Sequence, residues 1–110
     1  MVKIIDGPAM GAKLNLQRTP KYLRVVIDLN KKVDALDLKT DTPMYGERLY
    51  AYIMIPESYK RGFYCGENNG CQLLNFADYK ICQMQPDQKT MSELKLWENW
   101  VENRESVTNV

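Results

Sequence analysis

Single Pro and Gly residues cut this chain into short runs whose apolar positions alternate, a rhythm that restricts it to strands joined by tight connections. In residues 12 to 17, Ala12, Leu14 and Leu16 share one face and Lys13, Asn15 and Gln17 the other, as in a half-buried strand. In residues 22 to 29 the face Leu23, Val25, Ile27, Leu29 is wholly apolar, while Tyr22, Arg24, Val26, Asp28 is mixed. Residues 48 to 55 form a third run, ended by Pro56, which has no backbone donor. Residues 62 to 65 and 71 to 76 flank Gly66-Glu67-Asn68-Asn69-Gly70 and read as a hairpin, because Gly and Asn tolerate the positive φ of tight turns. Residues 2 to 5 and 79 to 84 complete the set of expected strands.

Pro86 separates this β-rich region, residues 1 to 85, from one expected helix over 90 to 104. Thr90 and Glu93 stand at capping-box spacing. Leu94, Trp97 and Val101 then fall on one stripe, with Trp100 on its rim and Ser92, Lys95, Asn99 and Glu102 opposite. Two indoles need a partner surface, so the helix is expected across the sheet, with a frayed tail over 105 to 110. The expectation is a single α+β domain: a mainly antiparallel curved sheet, or partly open barrel, of roughly five to seven strands with the C-terminal helix packed on it.

Composition excludes several chemistries. The 110 residues include 15 Lys+Arg, 14 Asp+Glu and no His, so histidine dyads, His-ligated metals and histidine acid–base catalysis are absent. Catalysis is not expected, and neither is a resident metal or other cofactor. Three cysteines are an odd number, and residues 1 to 10 lack a charged segment followed by an apolar one. The expectation is a cytoplasmic protein with no membrane segment.

Although net charge is only +1, its distribution is uneven. Residues 1 to 32 hold Lys3, Lys13, Arg18, Lys21, Arg24, Lys31 and Lys32 against Asp6 and Asp28, a local +5, and residues 33 to 57 carry a local −3. Lys13, Arg18, Lys21, Arg24 and Lys31, with Tyr22 to stack on a base, are therefore candidates for contacting nucleic acid. The plainer reading is that lysines occupy the wet face of strands and discourage edge pairing. Asp34, Asp37 and Asp41 are close enough in sequence for a Mg²⁺-dependent hydrolase, but on a loop between strands such residues more often serve as turn formers and solvated charges.

Cys65 and Cys71 would approach disulfide distance if they face each other across the hairpin. A reducing cytoplasm would keep them as thiols, and packing as small hydrophobes is the expectation. Zinc would need Glu67 or a second chain to complete its ligands. Tyr50 and Tyr52 share a face, either as core beneath the helix or, with Arg48, as an exposed platform for a protein partner.

Ile4-Ile5-Asp6-Gly7-Pro8 and Gly11, leading into the next strand, resemble the start of a KOW motif over residues 4 to 16. That likeness implies an SH3-like barrel and an RNA-binding or ribosomal role. Asp6-Gly7-Pro8, Leu23-Arg24-Val25-Val26, Asp34-Ala35-Leu36-Asp37, Asp41-Thr42-Pro43 and the Trp-containing helix resemble small uncharacterised proteins of bacteriophages and prophages. This second likeness covers more of the chain. It implies an accessory product that binds host machinery or a defence component, and it transfers no catalytic residue. The leading expectation is thus a non-enzymatic binder of a host protein through Arg48, Tyr50 and Tyr52. A symmetric homodimer would close an uncovered edge or face of so small a sheet.

Overall fold

The computed structural model describes residues 1–16, 19–36, 47–68 and 70–93. Among the described residues seven strands appear: β1 (Val2–Ile4), β2 (Lys13–Leu14), β3 (Tyr22–Ile27), β4 (Val33–Leu36), β5 (Arg48–Met54), β6 (Lys60–Gly66) and β7 (Gly70–Ile81). A 3-10 turn, Pro56–Ser58, lies between β5 and β6, and one short helix, α1 (Gln88–Ser92), follows the strands. Along the sheet the order is β2-β1-β7-β5-β3-β4, with β6 pairing the first half of β7. The β1–β7 pair is parallel and the others are antiparallel, so the sheet is mixed. The parallel pair arises because the opening strand inserts between β2 and the last strand. This long-range choice leaves no mark in local alternation.

The strands other than β6 curl into a nearly closed barrel because one face of each brings apolar side chains to a common interior. Val2 and Ile4 of β1, Leu14 of β2, Leu23 and Val25 of β3, Tyr52 of β5 and Ala77 and Tyr79 of β7 meet there. Alternation sends the next residues outward, where Tyr22, Val26, Leu49 and Ala51 form a second cluster with Cys82 and Met91. The chain beyond β7 and α1 therefore cover the outer face of β3 and β5, and both sides of these strands are sealed. Arg24 lies fully buried on the outer side, where its Nη1 donates to the Met91 carbonyl at 2.7 Å.

Where β7 runs out beside β5, two side-chain amides replace the missing ladder. Gln85 accepts from Ala51 N at 2.7 Å through Oε1 and donates to Ala51 O at 2.8 Å through Nε2. Gln88 does the same for Leu49 at 2.8 and 2.9 Å.

Several elements depart from expectation. The strands expected at 71 to 76 and 79 to 84 are one 12-residue strand, β7, because nothing between them breaks the ladder. Residues 33 to 36 form a strand rather than a loop, which puts Asp34 in β4. The helix starts earlier: Asp87, not Thr90, is its N-cap, accepting from Thr90 N, and Glu93 ends it with an extended backbone. A carboxylate directly after Pro86 captures the first free N–H groups before Thr90 can. The stripe of Leu94, Trp97, Trp100 and Val101, the rest of the expected helix to 104 and the tail at 105 to 110 lie outside the described residues. No helix among the described residues is long and apolar enough to cross a membrane.

Candidate functional site

The expected aromatic platform on β5 is turned inward. Arg48 is exposed and Tyr50 half-buried, but Tyr52 is fully buried. The Tyr52 hydroxyl donates to Asp6 O at 3.0 Å and accepts from Ala9 N at 3.1 Å. Asp6 Oδ1 in turn accepts from Ile81 N at 2.6 Å. The Asp6-Gly7-Pro8 turn is thus locked to β5 and β7, with Gly7 at φ +70°. Burial raises the Tyr52 phenol pKa, opposed by the Ala9 N–H. Burial also raises that of Tyr79, whose hydroxyl donates to Pro20 O. Tyr52 and Tyr79 are core residues that satisfy their polar ends.

The basic set is also divided. Tyr22 and Arg24 are buried, Lys13 is exposed on β2, and Lys21 and Lys31 are exposed beyond opposite ends of β3, roughly 20 Å apart along a strand of that length. The Lys21 ammonium sits 5.4 Å from the centre of the Tyr22 ring. Arg18 lies outside the described residues, as do Asp37 and Asp41. Asp34 accepts from Ala35 N through Oδ1 at 2.8 Å. It lines an open cleft of about 380 Å³ with Asp28, Lys32 and Glu47. Asp28 Oδ1 is engaged there by the Asn30 and Lys32 N–H groups, both at 2.8 Å, as in an Asx turn. Among the described residues, no cluster of three or more cysteines and carboxylates is arranged to hold a metal ion.

Leu29, Met10 and Met84 are exposed elsewhere, but Phe63, Tyr64 and Leu73 are exposed together on an arm formed by β6 and the first half of β7. Their register runs from Lys60↔Phe76 to Gly66↔Gly70. Arg61, Phe63 and Cys65 share a face with Asn75, Leu73 and Cys71, while Gly62 and Tyr64 share the other with Leu74, Gln72 and Phe76. The first face continues the side of β7 that carries Ala77 and Tyr79 into the barrel, but beyond the barrel it has no covering layer among the described residues. Phe63 is 75% exposed and Leu73 43%. On the second face the Tyr64 ring passes over Gly62 and meets Phe76 at 4.9 Å between centroids, yet it remains 53% exposed. Lys60 and Arg61 lie exposed at the base of the arm and Glu67 at its tip.

Cys65 and Cys71 are exposed and joined by a disulfide, with Cα atoms 3.9 Å apart, contrary to the expectation of packed thiols. They are direct cross-strand partners beside the turn, a placement that brings the sulfurs together and keeps them outside any core. Packing is the role of Cys82, buried in the second cluster.

Sequence reasoning placed this hairpin but missed its exposure. The readable signal was adjacent apolar pairs, Phe63-Tyr64 and Leu73-Leu74, which put apolar groups on both faces of a ribbon of two strands. One covering helix cannot bury both. Comparison with known protein families, with curated proteins and with solved structures finds no match to this chain.

Proposed function

We propose that this chain is a non-enzymatic binding protein, of the accessory kind its phage-like motifs imply, that engages a host protein through the β6–β7 arm. The observation that carries this reading is the pairing of Phe63, Tyr64 and Leu73 on a projecting ribbon with apolar side chains on both faces. Exposed aromatics grouped in this way mark contact surfaces rather than ordinary scattered apolar residues. Lys60 and Arg61 at its base select a partner whose apolar cleft is rimmed by carboxylates.

A photo-crosslinking amino acid at position 73 identifies the partner in host extract, and the purified partner is then titrated against wild type, Tyr64→Ser and Leu73→Ser. Each substitution is expected to weaken binding by about tenfold, the loss of one anchoring side chain. Unchanged affinity in both variants would end this reading.

A further inference from the structure

The backbone edge of the arm carries a second inference. Along β7, the even-numbered residues direct their N–H and C=O groups toward β5 and β6, and the odd-numbered ones toward β1, as Ala77 N to Met1 O and Ile5 N to Tyr79 O demonstrate. With Cys65 and Cys71 as a close, non-hydrogen-bonded pair, Lys60, Gly62, Tyr64 and Gly66 bond to β7, and Arg61, Phe63 and Cys65 direct their backbone groups outward. No described strand lies along that outer edge. The terminal strands of the sheet are short, two residues in β2 and four in β4. β6 has seven residues and no proline, and beyond Lys60 and Arg61 its last five residues, 62 to 66, carry no charge. It lacks the usual protections of an edge.

The geometry points to a two-fold dimer in which β6 pairs antiparallel with β6 of a second copy, centred on Phe63. The outward-facing residues are symmetric about that position, so Phe63 meets its counterpart and Arg61 meets the partner's Cys65, each with its own backbone groups free to bond. On the same face, Glu67 at the tip of each arm stands opposite Tyr59 of the other and is the diagonal neighbour of Arg61 at its base. A parallel pairing would set the cations of both copies together instead. Phe63 already stands opposite Leu73 within the arm. The dimer would therefore run one apolar row, Leu73, Phe63, Phe63 and Leu73, across four strands, a form of cross-strand packing that stabilises sheets. The Cys65–Cys71 bridge holds the ribbon in register, so little ordering remains to be done on association. This inference goes beyond partner binding, because it uses the strand edge and leaves the second face of each arm open.

Sedimentation velocity of the full chain up to about 100 µM tests it. A reversible dimer is expected, and Phe63→Pro should sediment as a monomer with its circular dichroism and its disulfide intact, since the lost N–H points away from β7. Arg61→Glu or Glu67→Arg should each weaken the dimer by about tenfold, through two symmetry-related contacts, and the double variant should restore it. A wild type that stays monomeric, a dimer that survives Phe63→Pro, or a double variant no tighter than the singles would overturn the inference. A monomer that still binds its host partner would remove the dimer alone, and a dimer that binds none would remove only the partner reading.

Discussion

Buried tyrosines do at the residue scale what an apolar side chain of the same size would not: they close a turn. Tyr52 reaches from β5 to both ends of the Asp6-to-Ala9 turn, and a Cβ on Gly7 would fall 2.7 Å from its hydroxyl. Tyr52→Phe leaves the Ala9 N–H and the Asp6 carbonyl without this partner, at an expected cost of about 1–3 kcal/mol in urea unfolding. Gly7→Ala should cost at least as much, because it adds a clash to a φ that L residues avoid. Both phenols also set the alkaline limit. In the unfolded chain Tyr52 and Tyr79 ionise near the ordinary value of 10.0, and burial raises both in the folded chain. Above that pH the unfolded state binds fewer protons than the folded state, so stability is complete below it and falls as pH rises, by up to about 1.4 kcal/mol per pH unit for each phenol. Urea midpoints should stay level from neutral pH to about 9 and then drop, with a shallower drop in Tyr79→Phe. The parity that puts Tyr50 and Tyr52 on one face was legible in the sequence. Which face is interior was not, because Leu49, Ala51 and Ile53 opposite them are just as apolar.

Elements here are completed by partners far away in sequence. The β5 edge at Leu49 and Ala51 is finished by Gln88 and Gln85, more than 30 residues later, and no local pattern distinguishes these glutamines from solvent-facing ones. Replacing Gln85 with Ala removes both bonds to Ala51 and is expected to cost about 1–2 kcal/mol while loosening the segment that carries Met91 onto the outer cluster. Glu at the same position should be worse, since it sets an acceptor-only carboxylate against the Ala51 and Cys82 carbonyls that the Gln85 amide N–H groups now serve. The arm behaves differently, because it touches the barrel only at its base. Reducing the Cys65–Cys71 bridge releases a short loop and removes roughly 2 kcal/mol of closure entropy from the arm, but none of the barrel's contacts. The thermal midpoint seen through the buried tyrosines should therefore stay unchanged on reduction, while amide exchange in β6 accelerates. A falling midpoint would place the bridge within the cooperative unit. Turn chemistry made this hairpin readable, whereas the continuity of β7 into the barrel was hidden because residues 77 and 78 carry neither a break nor a distinctive pattern.

At the scale of the whole molecule, one strand serves two structures. The far half of β7 is a wall of the barrel, packed through Ala77 and Tyr79, and its near half is one side of a ribbon whose apolar groups meet solvent. Alternation with period two was enough to read a strand-dominated α+β domain, since it assigns faces without reference to distant residues. It could not reveal that β3 and β5 are covered on both sides, which depends on Cys82 and Met91 returning over Tyr22 and Val26. Nor could it show that the exposed Phe63, Tyr64 and Leu73 lie away from those strands. The division of β7 has a measurable consequence, because local opening follows buried apolar contact rather than hydrogen bonding alone. β7 is paired along its whole length, with β6 over residues 70 to 76 and with β1 and β5 over residues 77 to 81, but residues 71 to 75 are bonded on one side only and have no core behind them, while Ala77 and Tyr79 are among the least exposed of the described residues. Hydrogen exchange at low protein concentration should open β6 and residues 71 to 75 at a small fraction of the free energy needed for β1, β3 and residues 77 to 81. At high concentration β6 should gain protection while the barrel does not, because association covers the outward N–H groups of Arg61, Phe63 and Cys65. Protection uniform along β7 at every concentration would mean that the arm and the barrel are a single unit.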